Sequence, residues 1–537
     1  MTRDLVTRFV AIAAALISSI ASPKASAAES AEQWGIYELA LTGPRDGNPF
    51  VDVEVGATFS KDQQAIKVNG FYDGDGIYRI RFMPETTGIW SYRTTSNRPE
   101  LADKSGDLTV TPPSLGNHGP VRVAHTYHFA HTDGTPFRPI GTTCYGWAQR
   151  PEQLQEQTLK SLSASPFNKV RMLLMPQNQE PEIPAPQSPF AGTAPKQWDF
   201  TRYNPAFFHH LEKRIGQLRD HGIECDLILF HPYGRMWGMD DMDDASDDRY
   251  LRYVVSRLAS YRNVWWSLAN EYDFLRWKEP GDWDRFFQIV QQSDPYGHLR
   301  SIHNGYEIYN ATLPWVTHAS IQCGAAVEEP GRAEILRSAF RKPVVYDEVK
   351  YEGNIDKRWG QLDGRDLIHR IWSGTVVGTY VSHGEALKDT NGSWLSKGGT
   401  FRGESPERIA FLKTILKDAP AGGIDPVDKW QQPAGMGGQP GHYYLLYFGR
   451  EAPKTWPFEL YKSGLRDGMQ FQVEIIDTWD MTVTAVQGSF VTKRKNAYHF
   501  ADELHRAVEL PGKPGIVLRI RRIGDTSGDP VIEEPNE

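Results

Sequence analysis

Between residues 135 and 418 the chain repeats one unit: a short apolar run, a stop at polar or ionisable residues, and a stretch with helical periodicity. The apolar runs fall at Pro139–Thr143, Lys169–Leu174, Glu224–Phe230, Val264–Leu268, Leu299–His303, His318–Gln322, Pro343–Tyr346 and Gly378–His383. In the segment Asn204–Gly222, Phe207, Leu211, Ile215 and Leu218 recur every three or four residues, which places them on one helix face. Ser405-Pro406-Glu407 reads as an N-cap, a proline at the first helical position and an acid in the first turn. Eight strands alternating with helices predict an α/β chain built on a (β/α)8 TIM barrel at residues 125–420. A doubly wound sheet is the alternative. It calls for a glycine-rich phosphate turn after its first strand, and Gly141-Thr142-Thr143-Cys144-Tyr145-Gly146 does not fit that pattern.

The flanks change period. Val51, Val53 and Val55 alternate with acids, and Tyr78, Ile80 and Phe82 alternate with Ile77, Arg79 and Arg81 around the turn Asp73-Gly74-Asp75-Gly76. An N-terminal β-sandwich is expected over residues 30–118, and Asp73 and Asp75 read as turn residues rather than a calcium loop. Tyr443–Phe448, Phe471–Ile476 and Gly515–Ile520 predict a C-terminal β-sandwich at 424–523, followed by a disordered acidic tail at 524–537. Arg3 and Arg8, the apolar run Phe9 to Ile20 and the closing Ala25-Ser26-Ala27 read as a secretory signal peptide over residues 1–27. The mature protein is therefore expected in the periplasm or the extracellular medium. No later stretch has the length of a membrane helix. Cys144, Cys225 and Cys323 are too few and too scattered for a disulfide framework and read as buried apolar residues.

Charge removes one class of function. With 59 basic against 67 acidic side chains the formal net charge is -8, and no Lys/Arg run offers a nucleic-acid footprint. No metal or cofactor is expected. The acids Asp240, Asp241, Asp243, Asp244, Asp247 and Asp248 lack EF-hand spacing, with Ser246 or Asp244 read as a helix cap. His125, His128 and His131 lack an HExxH context, and no G-x-S-x-G is present. The oligomeric state is not written in the sequence.

In a barrel of this class the chemistry sits where strands end. Strand four ends Asn270-Glu271 and strand seven ends Asp347-Glu348, which brings two carboxyl groups to one mouth. Glycosidic bond cleavage needs such a pair, one acid to protonate the leaving oxygen and one carboxylate at the anomeric carbon. A separation of about 5–5.5 Å gives retention of configuration. Glu271 is then the acid/base and Glu348 the nucleophile, with Asp347 as a competitor should the strand register slip by one. Arg171 is placed to hold Glu348 ionised, and Asn270 to hydrogen-bond a sugar hydroxyl. His231, His303, Gln322, His383 and Glu385 end other strands and count as substrate-binding candidates, as do the aromatic Tyr145, Trp147 and Trp394 in loops at the mouth.

The stretch Trp265-Trp266-Ser267-Leu268-Ala269-Asn270-Glu271-Tyr272-Asp273 resembles the fourth-strand acid/base motif of clan A glycoside hydrolases, and Pro343-Val344-Val345-Tyr346-Asp347-Glu348 resembles their seventh-strand nucleophile motif. The layout over about residues 30–523 is similar to bacterial glycosidases related to family 5 and to the apiosidase-like enzymes. That resemblance implies a retaining hydrolase acting on a poly- or oligosaccharide without a cofactor. One departure stands out: strand six ends Ser320-Ile321-Gln322, where the family 5 pattern has a tyrosine touching the nucleophile. A non-catalytic secreted carbohydrate-binding or adhesion protein and a polysaccharide lyase are the competing readings.

Overall fold

The computed structural model describes residues 29–177, 188–239, 242–388, 392–427 and 435–524. The proposed signal peptide, the tail beyond residue 524, and Asp240 and Asp241 lie outside them. Eight parallel strands form the centre: β1 Gly141–Thr143, β2 Lys169–Leu173, β3 Glu224–Phe230, β4 Val264–Ala269, β5 Arg300–Ser301, β6 Ala319–Gln322, β7 Val344–Glu348 and β8 Tyr380–Val381. They pair in order as a five-stranded sheet, β1 to β5, and a three-stranded sheet, β6 to β8. Single parallel bridges join the two at both edges, His303 with Ser320 and Thr142 with His383. Every residue of β2, β3, β4 and β7 is buried. Burial on both faces is why these strands read as continuous apolar runs rather than as alternation.

Among the described residues, seven helices of eleven residues or more, α1 Glu152–Ser163, α2 Pro205–Asp220, α3 Asp244–Leu258, α4 Pro280–Ser293, α5 Pro330–Phe340, α6 Gly364–Val376 and α7 Ser405–Leu416, accompany the strands. In α2 the Asn204 side chain accepts from the Ala206 N–H at 3.2 Å, and Pro205 takes the position where a missing N–H costs nothing. Two expected caps differ. α3 is capped by Asp243, which accepts from the Ser246 N–H at 2.9 Å, leaving Asp247 to pair with Lys278 and Asp248 with Arg285. Ser405 lies inside α7, because both its N–H and its hydroxyl are drawn to the buried Glu352 carboxylate.

The N-terminal domain packs a five-stranded sheet (Glu29–Glu32, Ser105–Thr111, Gly88–Ser96, Val55–Lys61, Gln64–Asn69) on a three-stranded one (Tyr37–Thr42, Ile77–Phe82, Phe71–Tyr72). Between them Phe59 stacks on Phe82 at 4.0 Å and Trp90 meets Phe82 edge-on. Val51 is not in a strand. Pro49–Asp52 makes one helical turn instead, with Asp52 accepting from the Asn48 N–H at 2.8 Å. Asp75 does hold a turn conformation, with φ of 51°. Asp73, one strand end away, is buried against the core domain with Arg79, Arg257 and His209 around it. Glu212 sits between Arg81 and Arg257 beside it, so the domain junction is a buried, charge-balanced network from the N-terminal sheet, α2 and α3.

Among the described residues the C-terminal domain has one nine-stranded sheet, a path of eight strands with a ninth beside it, and a separate two-stranded sheet, Thr455–Pro457 with Ala507–Glu509. Asp425–Pro426, Gly435–Gln439, Tyr443–Tyr447, Ile516–Ile523, Gln470–Asp477, Phe490–Arg494, His499–Asp502 and Glu459–Tyr461 follow one another, with Thr482–Ala485 beside Gln470–Asp477. Its two ends close over a shared core that includes Leu446, Phe458, Leu460, Phe471 and Phe490. Trp479 locks it to the core domain, lying under the guanidinium groups of Arg365 at 4.2 Å and Arg408 at 3.9 Å.

Candidate active site

Where β4 and β7 end, Glu271 and Glu348 line one cavity of about 650 Å³. Glu271 stands at the first position past β4 in a left-handed conformation, φ 44° and ψ 55°, which costs about 1–3 kcal/mol and turns its side chain out of the strand direction. Its carboxylate accepts from the Tyr233 hydroxyl and from Gln322 Nε2 at 3.1 Å. Glu348 accepts from the Tyr145 hydroxyl, has Arg171 Nη1 at 3.5 Å and faces His303 Nε2 at 3.5 Å. Asn270 stands between the two. Its Nδ2 donates to the Tyr233 oxygen at 2.9 Å, while its Oδ1 accepts from Arg171 at 2.6 Å and Tyr145 at 3.4 Å. The two acids are therefore joined by a continuous chain: Glu271, Tyr233, Asn270, Tyr145, Glu348.

Their surroundings differ in sign. Burial, reinforced by the charge of Glu348, pushes the Glu271 carboxyl above the ordinary carboxylate range. Burial also works on Glu348, but hydrogen bonding and charge from His303, the Arg171 charge and the Tyr145 hydroxyl outweigh it and hold that group below the range. Burial first, then the nearby carboxylates, raises Tyr145 and Tyr233 well above an ordinary phenol, so both stay protonated donors. One carboxyl pushed up beside one held down is the arrangement that separates an acid from a nucleophile.

Asp347 is occupied elsewhere. Its oxygens take Lys169 Nζ at 2.8 Å, Ser382 at 3.0 Å and Ser320 at 2.6 Å, and Lys169 also holds Asp226 at 2.6 Å. This fully buried triad does not reach the cavity lining. The pairing of β6 with β7 slips between Ile321 and Gln322, at the level of Glu348. The slip lets neighbouring acids serve a buried ion cluster and the mouth.

The other candidates divide by where they point. Tyr145 and Gln322 line the cavity; Arg171, Asn270 and His303 touch the carboxylates or their partners from behind. His231 supports Tyr233: its Nδ1 accepts from the Tyr233 N–H at 3.1 Å while Nε2 is 3.0 Å from the Met175 carbonyl, and burial pushes its pKa down to about 4. Four candidates touch neither the cavity, its two carboxylates nor their hydrogen-bond partners. Trp147 is fully buried in the core, and Trp394 packs on Phe401 at 3.7 Å and donates to Thr142 at 3.0 Å. His383 shares Thr142 at 2.9 Å where the sheet edges meet. Glu385 accepts backbone N–H groups of Arg402 and Gly403 at 3.0 and 2.8 Å and so pins the loop before α7; burial lifts its pKa to about 7.

Cavity residues that the strand-end rule passes over are Gln177, Tyr233, Phe274, Tyr306, Lys350, Tyr351, Arg358 and Trp359. They lie in loops or, for Phe274, Arg358 and Trp359, in single 3₁₀ turns, and only the spacing His231-Pro232-Tyr233 after β3 hints at one of them. Tyr306 is 85% and Trp359 44% exposed, so two aromatic faces stand free at the rim. Tyr351 is packed so closely on Gly384 that a Cβ there would lie 1.8 Å from its ring. Gly384→Ala should push the ring toward Glu348, lowering kcat/KM by about 10²-fold and stability by about 1–3 kcal/mol. Gly216→Ala, facing open space in α2, should change neither for the worse. Steady-state kinetics and thermal melts of the two variants test this.

A family model described as the apiosidase-like catalytic domain matches residues 124–380. Models of two domains of unknown function, DUF5060 and DUF5605, match residues 30–97 and 430–521. No curated protein matches the chain. A solved structure from Bacteroides vulgatus ATCC 8482, provisionally assigned as a glycoside hydrolase, is 40% identical over 92% of this chain and 100% of its own, with a TM-score of 0.89. A glycoside hydrolase family 5 structure from the same strain is 15% identical, covers 75% of this chain and 93% of its own, and has a TM-score of 0.58. Another glycoside hydrolase structure, 13% identical over 75% of this chain and 97% of its own, has a TM-score of 0.57. These last two share the fold alone. On the 40% identity over nearly the whole chain, together with the catalytic-domain match, this protein belongs to the apiosidase-like glycoside hydrolase family.

Proposed function

We propose that this chain is an exported glycoside hydrolase that cleaves a poly- or oligosaccharide with net retention, on a complete (β/α)8 barrel. Glu348 is the nucleophile and Glu271 the acid/base. The observation that carries this reading is the pair of carboxyl groups in one cavity, biased toward opposite protonation states and joined through Tyr233, Asn270 and Tyr145. In the first step Glu348 attacks the anomeric carbon as the glycosidic C–O bond breaks, and the proton of Glu271 passes to the departing oxygen. In the second, Glu271 takes a proton from water, whose oxygen attacks the same carbon while the bond to Glu348 breaks. Tyr145 donates to the nucleophile from the end of β1, supplying the hydroxyl that the family 5 pattern takes from strand six. Gln322, on strand six, holds Glu271 instead.

Incubation with a broad panel of plant, algal and bacterial polysaccharides should release new reducing ends from at least one. None from any of them would contradict the assignment. The pH dependence follows from the two environments. Glu348 must be ionised, so kcat/KM rises with pH through a pKa below the ordinary carboxylate value. Glu271 must be protonated, so the rate falls as pH climbs through a pKa above it. Glu271→Gln should abolish the alkaline limb and leave the acid limb in place, which a kcat/KM profile against pH measures.

A further inference from the structure

We propose that the sugar bound beside the catalytic pair carries an anionic group, a uronate carboxylate or a sulfate ester, and that Lys350 and Arg358 receive it. This rests on the hydrolase reading and specifies its substrate class. The cavity lining holds two cations besides the two acids, Lys350 and Arg358, and among the described residues neither has an ion-pair or hydrogen-bond partner. Lys350 is half-buried and Arg358 exposed to the cavity mouth, whereas the buried cations Lys169, Arg171, Arg257 and Lys278 of the core domain are matched to carboxylates. An anionic glycan in this cavity would meet repulsion from Glu348, which two cations in the same lining offset.

The segment that presents them is built. Lys350 follows Glu348 by two residues and takes φ of 72°, a left-handed conformation that lysine rarely adopts, so the chain turns sharply at the cavity wall. Beyond it, Tyr351 N–H donates to the Trp359 carbonyl at 2.7 Å and Leu362 N–H to the Tyr351 carbonyl at 3.1 Å. Gly353 N–H donates to the Leu362 carbonyl at 3.0 Å, and Glu352–Gly353 pairs with Glu385–Ala386. Arg358 is therefore displayed next to Trp359, a cation beside an open aromatic face, from a tied-down loop. Charged-group hydrogen bonds to a sugar anion are worth about tenfold or more in affinity each.

The test measures binding by calorimetry to E348Q, so that glycans stay intact. The probes are oligosaccharides from uronate polysaccharides, the same preparations with carboxyls reduced to alcohols, and sulfated galactan oligosaccharides. At least one anionic set should bind about tenfold or more tighter than its neutral counterpart, and which set does so separates carboxylate from sulfate. Adding K350M and R358Q should erase that difference. Equal binding of neutral and anionic forms, or a preference that survives K350M/R358Q, overturns the inference, as does the absence of binding to any anionic set. Cleavage of neutral glycans by the wild type without charge preference would overturn the anion site and leave the hydrolase standing. Charge-dependent binding without cleavage would do the reverse.

Discussion

Glu348→Gln should lower kcat/KM by about 10⁴-fold or more, the scale on which loss of a covalent nucleophile is felt, while the far-ultraviolet spectrum and melting temperature stay near those of the wild type. Glutamine keeps the shape that Tyr145, Arg171 and His303 surround but cannot form the glycosyl ester. Glu271→Gln should cost about 10²- to 10⁴-fold, the range for a general acid, and its deficit should shrink on aryl glycosides whose leaving group needs no proton. The contrast between the two variants separates their roles. Equal losses on good and poor leaving groups would contradict the assignment of Glu271 as the acid. Asp347→Asn, by comparison, should act through stability rather than through chemistry, since Asp347 is bound to Lys169, Ser320 and Ser382.

The second large effect lies directly beneath the site. Lys169→Met should destabilise the protein by about 3–5 kcal/mol, because it takes from the buried Asp226 and Asp347 the one cation in direct contact with both, leaving only Arg171, 3.9 Å from Asp226, as a counter-charge. Removing all three charges together, with Asp226→Asn and Asp347→Asn added, should recover much of that loss, since an uncompensated charge costs more than an absent pair. Denaturant melts of the single and triple variants measure both. A Lys169→Met protein as stable as the wild type would mean that the triad carries no such burden.

The parts of the fold legible in sequence are those where burial is complete. Glu224–Phe230 and Val264–Leu268 are apolar runs because both faces are covered, and all eight expected strands occur, trimmed at their ends to as little as Arg300–Ser301 and Tyr380–Val381. Glu271 and Glu348 were readable for the same reason: each ends such a run. Side-chain direction was not. Trp147 and Trp394 follow strands as a sugar platform would, yet both fill the core, while the exposed aromatics Tyr306 and Trp359 sit in loops whose course depends on backbone bonds between distant residues. Asp73 reads as a turn residue because its partners Arg257 and His209 lie on helices more than a hundred positions later. Three C-terminal strands, at Tyr443–Tyr447, Gln470–Asp477 and Ile516–Ile523, were legible one by one. That they belong to one folded-over path of eight strands was not, because connectivity between strands leaves no local signature.

Proton NMR on the first sugar released addresses the joint action of the two glutamates directly. With the wild-type protein and a cleaved glycan, the first anomer to accumulate, before mutarotation, should have the configuration of the bond that was broken. Initial appearance of the opposite anomer would mean a single displacement by water and would remove Glu348 from the role of nucleophile.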